Sequence, residues 1–282
     1  MKRKFFPIIA IACLSTPALA AGGEGAEQSD APTSKIQLAL TIYAGGITLG
    51  KTDMDATIRG SDYHVVSTLQ TSGVVNAFWQ AEIQATSSGK LGARSFQPAL
   101  YDSFDINHNG RKQEVSLSYE NGSPPRLYAN PLYSTTGYEV KPEQAKGTLD
   151  PLSAVMFIIS GAGAEPGNPC GLVTPVFDGR RRYNIEMTKV KDIEIKMDNG
   201  LYEGKGVQCA IKYKQIAGFK PRVLKANESF PPINAWVATF PSAIAGRDYV
   251  VPLRVWTEYA GGTVAVVANS LKIDGAPPKG VR

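Results

Sequence analysis

The side chains that could carry catalysis are few and far apart in this chain. There are two histidines, His64 in a strand-like run and His108 in a polar turn. No Gly-x-Ser-x-Gly turn is available to expose a nucleophilic serine, and no histidine pair or cysteine cluster has the spacing of a metal site. Asp53 and Asp55 lie close together in sequence, as do Asp102 and Asp105, but neither pair has the further ligands that a calcium site needs. The sequence therefore predicts no catalytic residue, no metal and no cofactor.

Three consecutive arginines form the one cluster whose spacing suggests a binding site. If a strand begins at Arg180, then Arg180 and Arg182 share one face and Arg181 lies on the other. Two guanidinium groups on one face can bind an anionic head group or a partner carboxylate. The simpler interpretation is a solvated strand start in which Asp178 supplies the counter-charge. Both interpretations stay open, and the simpler one is favoured.

Cys170 and Cys209 are the two cysteines that remain outside the N-terminal segment. In an oxidising compartment a lone pair of cysteines is bridged more often than free. The bridge closes a loop of about forty residues, which is worth roughly 4 kcal/mol in the chain-entropy description. A redox function would favour a Cys-x-x-Cys pair, which the chain lacks. We therefore predict one structural disulfide.

The first twenty residues have the pattern of a cleavable export signal. Basic residues at 2–4 precede a stretch of about ten apolar residues, Phe5–Leu14, which is half the length that a membrane span needs. Ala18–Ala20 supplies the small residues that a signal peptidase recognises, so we predict cleavage after Ala20 and a periplasmic protein. Cys13 leaves a second, less favoured interpretation, a lipoprotein signal lipidated at that residue.

The positive charge of the chain belongs largely to this segment. Removing residues 1–20 lowers the formal net charge from +5 to +2, because the segment holds three cations and no acid. The remaining charge gives little reason to expect binding to nucleic acid or to an acidic membrane. No later segment has eighteen consecutive apolar residues, so we expect a soluble mature protein without a transmembrane segment.

Alternation of apolar and polar residues predominates from Lys35 onwards. Turn residues recur along the chain, which indicates an antiparallel meander of about a dozen strands. Gly45-Gly46 and Asn199-Gly200 mark its clearest hairpins. The predicted strands lie near residues 36–42, 47–58, 63–69, 77–86, 93–106, 112–120, 173–177, 180–196, 201–216, 222–228, 233–240, 248–259 and 262–273.

The predicted domain organisation is simple. Residues 1–20 form the signal peptide, and 21–34 form a disordered leader of small and polar residues. A single β-rich domain follows over 35–275, and a flexible tail over 276–282. Four prolines within 121–147 indicate a long excursion from the meander, with at most one helical turn.

One helix is predicted with full start and stop signals, over residues 151–160. Asp150 is a favourable N-cap, and Pro151 suits the first helical position because its missing N–H costs nothing there. Packing of the apolar face against the sheet is the favoured interpretation, and contact with a ligand is the alternative. That face would consist of Leu152, Val155, Met156 and Ile159.

Three segments resemble a proteobacterial family of exported proteins of unknown function: Tyr43–Gly50, Leu149–Ser153 and Val176–Tyr183. The similarity spans about Ile36 to Leu271. The resemblance implies a long antiparallel sheet that curls into an open barrel or spiral around one helix, as in lipoprotein carriers and envelope-integrity proteins. It implies no catalytic residues, and a likeness of fold alone is a weak argument for function.

These observations favour a non-enzymatic periplasmic protein of cell-envelope maintenance that binds a lipidic or other apolar ligand in the curved sheet. A dozen strands enclose more space than side chains alone fill, which leaves room for a cavity or an inserted helix. The alternative is a scaffold that binds envelope proteins through its edge strands, the excursion 121–147 and Arg180–Arg182. A hydrolase is the least favoured class. The ligand, the partners and the oligomeric state stay open.

Overall fold

The computed structural model describes residues 31–72, 80–92, 94–106, 110, 112–165, 167–226, 231–243, 247–259 and 262–282. The predicted signal peptide, most of the predicted leader and His108 lie outside these residues. The described strands are β1 (Thr33–Ala44), β2 (Ile47–Arg59), β3 (Asp62–Thr71), β4 (Glu82–Leu91), β5 (Phe96–Ile106), β6 (Lys112–Ser118), β7 (Arg126–Asn130), β8 (Leu172–Phe177), β9 (Arg182–Lys196), β10 (Glu203–Ala217), β11 (Ile233–Pro241), β12 (Asp248–Tyr259) and β13 (Gly262–Ile273). The described helices are α1 (Pro142–Ala145), α2 (Pro151–Ile159) and α3 (Pro221–Ala226).

All thirteen described strands belong to one antiparallel sheet, which confirms the predicted mainly β meander. Its order is β7-β6-β5-β4-β3-β2-β1-β13-β12-β11-β10-β9-β8. Every neighbour in this order is also a neighbour in sequence, except that β1 pairs with β13. The first and last strands therefore meet near the centre of the sheet. The sheet stays open, with β7 and β8 as its two edges.

The alternation of apolar and polar residues in the sequence explains which side chains of β1, β2 and β3 are buried. In β1, Ile36 and Leu38 are buried, whereas Lys35 and Gln37 between them are exposed. The turn to β2 needs glycine, because Gly45 and Gly46 both have positive φ angles, 56° and 83°. The same period continues through β2 and β3, so these strands bury one face against a common core.

Helix α2 confirms the helix predicted over 151–160. The Asp150 side chain accepts a hydrogen bond from the backbone N–H of Ser153, and Pro151 occupies the first helical position. The helix contacts β3, β4 and β5 on one side of β1 in the sheet order, and β8 and β12 on the other. No helix in the described part of the chain has the length and apolar character needed to cross a bilayer.

One of the element predictions is wrong, and another is incomplete. The segment predicted as a strand over 222–228 contains the short helix α3 instead, because Pro221 suits a first helical turn and cannot donate to a sheet. The excursion predicted over 121–147 contains an additional strand, β7, together with the single helical turn α1. Five residues of β7 suffice for a strand because β6 provides the pairing.

Both predicted ends of the domain are also corrected. Ser34 was assigned to the leader, but it belongs to β1 and is buried, with hydrogen bonds to Asp274 and Tyr249. The predicted flexible tail, 276–282, is held by the hairpin between β9 and β10. The N–H of Arg282 donates to the carbonyl of Leu201 at 2.9 Å. These are contacts between residues far apart in sequence, which local composition does not reveal.

Candidate functional site

The apolar residues predicted to form one face of α2 lie in different environments. Met156 and Ile159 are buried in the main core, which agrees with the packing interpretation. Leu152 is half-buried, and Val155 is 37% exposed. Among the nine residues of the helix, Val155 alone is exposed. Small side chains such as Ser153 allow strands of the sheet to pack closely against more than one side of the helix. The helix therefore presents no common apolar face to a ligand.

The three arginines are also arranged differently from the prediction. Strand β9 begins at Arg182, and the backbone N–H groups of Arg180 and Arg181 both donate to the Asp178 carboxylate, at 2.9 and 2.6 Å. A turn therefore precedes the strand, and Arg180 and Arg182 do not share a strand face. The prediction of two co-facial guanidinium groups is wrong for this reason.

Each of these arginines has a partner within the chain. The Arg180 guanidinium lies 5.5 Å from the centre of the Tyr133 ring. Arg182 donates from Nε to the carbonyl of Gln144 at 3.0 Å, which ties β9 to α1. Of the two interpretations of the arginine cluster, the one that involves Asp178 is closer to the structure, because the Asp178 carboxylate accepts the hydrogen bonds that form the turn. The cluster joins the excursion after β7 to the sheet.

The predicted disulfide between Cys170 and Cys209 is confirmed. The two Cα atoms are 5.9 Å apart, and both cysteines are fully buried. The bridge ties the segment after α2 to strand β10. Its surroundings are apolar and consist of Leu172, Met187, Ala235, Val237 and Val250.

A cleft of about 690 Å³ lies between residues 161–165 and 167–169, which follow α2, and strands β10–β12. The volume falls in the range of small-molecule sites. Its apolar lining comprises Ala164, Pro169, Val207 and Val250, and Asn168 contributes a polar side chain of similar burial. We call this feature the α2-end cleft. The sequence predictions missed it, because its lining comes from five separate parts of the chain.

Charged side chains surround the apolar floor of the α2-end cleft. Arg94, Glu165 and Asp248 are exposed at its rim. Arg247 is half-buried, donates from Nη2 to the carbonyl of Gly92 at 2.9 Å, and has its pKa lowered by burial. An arginine nevertheless keeps its charge at neutral pH. Cationic groups beside an apolar floor can accommodate an amphipathic molecule with a carboxylate or phosphate head.

The wall of the α2-end cleft is fixed at both ends. Gly161, which follows α2, has a φ of 69° and lies directly against β12. A Cβ at this position would collide with the carbonyl oxygen of Asp248, so only glycine fits. At the other end, Cys170 is bonded to Cys209. The cleft is therefore preformed by a glycine contact and a disulfide.

The opposite end of α2 is held by a buried polar group, which we call the Asp150 cluster: Asp150, Ser153, Ser87 and Tyr63. The Asp150 carboxylate accepts hydrogen bonds from the hydroxyls of Ser153 and Ser87 at 2.5 and 3.1 Å. The hydroxyls of Tyr63 and Ser153 are 2.6 Å apart. Asp150 is 0% exposed. The cluster anchors the start of α2 to β3 and β4.

Burial dominates the electrostatics of the Asp150 cluster. It raises the pKa of the Asp150 carboxyl, and the hydrogen bonds from Ser153 and Ser87 oppose this shift without cancelling it. Burial, followed by the charge of Asp150, raises the pKa of the Tyr119 hydroxyl. That hydroxyl is buried and has no hydrogen-bond partner among the described residues. The sequence predicted Asp150 as a cap, but nothing in it placed Ser87 or Tyr63 beside the helix.

The residues considered first for catalysis do not form a site in the described structure. His64 is exposed on β3, and no acid or nucleophile of the described residues hydrogen-bonds to it. Within the same residues, no three His, Cys, Asp or Glu side chains lie close enough together to hold a metal ion.

The fold defines a class, that of open antiparallel β-sheet proteins in which one regular helix packs against the sheet. Within that class, the family model described as protein of unknown function, DUF3108, matches residues 39–266. The chain belongs to this family. The predicted membership of a β-rich family of unknown function is thereby confirmed, while its proteobacterial and exported character stay predictions.

One solved structure is similar to the chain. It is the crystal structure of a β-barrel-like protein of the domain of unknown function DUF1849 from Brucella abortus. The two share 13% sequence identity with a TM-score of 0.48, over 86% of this chain and 98% of the other. None of the curated protein sequences compared with the chain matches it significantly.

Proposed function

We propose that this is a non-enzymatic periplasmic protein of the cell envelope that binds a lipid-like, amphipathic molecule in the α2-end cleft. The observation that carries the proposal is the cleft itself, about 690 Å³ in volume, with apolar lining residues and, at its edge, two arginines together with the acids Glu165 and Asp248. In this arrangement the acyl part lies on Val207 and Val250. The head group lies beside Arg94 and Arg247.

The packing of α2 supports a ligand at the end of the helix and not beneath it. Met156 and Ile159 already fill the space between the helix and the sheet. A ligand in the interior of the sheet, as the sequence favoured, would have to displace them. The α2-end cleft needs no such rearrangement, and preformed sites avoid the cost of ordering their walls.

The buried disulfide supports the periplasmic part of the proposal. Structural disulfides persist in oxidising compartments and are rare in the cytosol. The bridge between Cys170 and Cys209 also holds the wall of the cleft, so oxidation during folding and formation of the site are linked. Export through a signal cleaved after Ala20 stays a prediction.

Native mass spectrometry of the protein purified from its own host, followed by lipid extraction, tests the proposal directly. We expect a bound species in the mass range of a lipid, released by organic solvent. Protein that carries no such species, and that also fails to bind added dodecanoate, would contradict the proposal.

Filling the cleft should abolish binding without unfolding the protein. Thr239 lines the α2-end cleft from β11 and is exposed, so Thr239→Trp places an indole in the cleft on a strand that tolerates aromatic residues. We expect the affinity for dodecanoate, measured by isothermal titration calorimetry, to fall at least about tenfold. The free energy of unfolding should change by no more than about 0.5 kcal/mol.

The matched control is Thr188→Trp. Thr188 is likewise an exposed threonine of the sheet, in β9, and does not line the cleft. It should bind dodecanoate as the unsubstituted protein does. Equal affinities in all three proteins would place the binding elsewhere.

A further inference from the structure

A second concave surface lies on the side of the sheet that faces away from α2. We call it the β3–β7 groove; its volume is about 390 Å³. Residues on the opposite side of these strands, such as Val65 and Leu117, are buried in the cores. The groove is crossed by one row of directly paired residues, Val66, Thr86, Asp102, Ser116 and Tyr128. With neighbouring strands about 4.8 Å apart, this row is about 19 Å long.

The groove is elongated and largely apolar. Val66 and Tyr128, at the two ends of the row, are 37% and 57% exposed. Phe104 lines the groove in the adjacent row. Between these larger groups the lining residues are short, such as Thr86 and Ser116, which produces the depression. A linear apolar chain matches this shape.

Two carboxylates give the groove a negative charge. Asp102 on β5 pairs with Ser116, and Glu114 lies two residues before Ser116 on β6, so the two acids are diagonal neighbours on the same face. Both are exposed, and neither forms an ion pair with any described residue. The Lys112 ammonium lies 5.9 Å from the centre of the Phe104 ring. An ammonium group of the protein itself, that of Lys112, thus already lies at the border of the groove.

We propose that the β3–β7 groove binds a linear amine, that is, an apolar chain that ends in an ammonium group. The chain lies along the row between Val66 and Tyr128. The ammonium lies between Asp102 and Glu114, neither of which forms an ion pair with a described residue, while the Lys112 ammonium lies over the Phe104 ring at the border. The groove holds two acids and no arginine among its lining residues, whereas the α2-end cleft holds two arginines and two acids, so we expect the two sites to differ in the head group that they accept.

Isothermal titration with dodecylamine, kept below its micelle-forming concentration, tests this proposal. Asp102→Asn combined with Glu114→Gln removes both charges and keeps the side-chain shapes. We expect this double variant to bind dodecylamine roughly three- to tenfold more weakly, the effect of two exposed ion pairs. Tyr128→Ser should also weaken binding, since it removes the apolar end of the row.

The matched control is Asp198→Asn combined with Glu194→Gln. These acids are exposed near the hairpin between β9 and β10 and do not line the groove, and the change in net charge is identical. The control should bind dodecylamine as the unsubstituted protein does. Equal weakening in both double variants would overturn the proposal, because it would reveal a response to net charge alone.

The variant of the α2-end cleft distinguishes amine binding in the groove from the proposed function. Thr239→Trp should leave dodecylamine binding unchanged, and the groove variants should leave dodecanoate binding unchanged. Loss of dodecylamine binding in Thr239→Trp would place the amine in the α2-end cleft and overturn the groove proposal. Failure of dodecanoate to bind any of the proteins would contradict the proposed function and leave the amine result standing.

Discussion

Replacing Cys170 and Cys209 together by alanine should lower the free energy of unfolding by about 4 kcal/mol, within a usual range of about 2–5. The bridge joins residues 39 positions apart, and releasing it lets the unfolded chain gain the entropy of a long loop. Alanine is the appropriate substitution because both sites are fully buried among apolar side chains. Serine at the same sites should cost more, since it buries two hydroxyls.

Chemical denaturation, monitored with and without a reducing agent, measures this effect. The unsubstituted protein should lose stability on reduction, whereas the double alanine variant should not respond. An unchanged denaturation midpoint of the unsubstituted protein after complete reduction would contradict the structural importance of the bridge.

The same double variant connects stability with the proposed function. Residues 161–165 and 167–169 form one wall of the α2-end cleft, and the disulfide holds the far end of that wall. Without the bridge, the wall keeps the Gly161 contact and the packing of Ala164 but loses the covalent link at its far end. We therefore expect the affinity for dodecanoate to fall at temperatures where the variant is still folded, while binding of dodecylamine in the β3–β7 groove is retained.

Asp150→Ala should lower the free energy of unfolding by about 3 kcal/mol. The substitution removes a helix cap, which is worth up to about 2 kcal/mol. It also leaves the buried hydroxyls of Ser153 and Ser87 without their acceptor, at about 1–3 kcal/mol for an unsatisfied group. Asp178→Ala is the comparison, since that aspartate also accepts backbone N–H bonds but lies in a half-buried turn. Its cost should be smaller.

Asp150→Asn should separate the hydrogen bonds of the cluster from its charge. The amide oxygen still accepts from the N–H of Ser153, and its NH₂ group can donate to the neighbouring hydroxyls. We therefore expect this variant to be much more stable than Asp150→Ala at neutral pH. Equal loss of stability in the two variants would show that the negative charge itself is essential.

The stability of the unsubstituted protein should depend on the protonation of Asp150. Burial raises the pKa of this carboxyl above its ordinary value of 3.8 in the folded state. Its contribution is therefore fully present below about pH 4 and is lost as the pH rises through the folded-state pKa. Relative to Asp150→Asn, the unsubstituted protein should become less stable between pH 4 and pH 8. A constant difference over that interval would contradict a raised pKa.

The sequence alone determined the features that depend on local pattern. Alternation of apolar and polar residues identified most of the strands, because a strand that buries one face imposes a period of two. The helix after Asp150 was predicted because capping and proline placement act within one turn. The bridge between Cys170 and Cys209 followed from the number of cysteines and the compartment.

Features that join distant parts of the chain depend on the tertiary structure. A strand at β7 depends on its pairing with β6, and the ordered tail depends on contact with Leu201. The Asp150 cluster and the α2-end cleft likewise bring together residues more than sixty positions apart, such as Ser87 and Asp150. Local composition carries no information on such contacts, because they depend on the order and curvature of the whole sheet. The residues that could hold a ligand were therefore visible only once the sheet had placed them side by side.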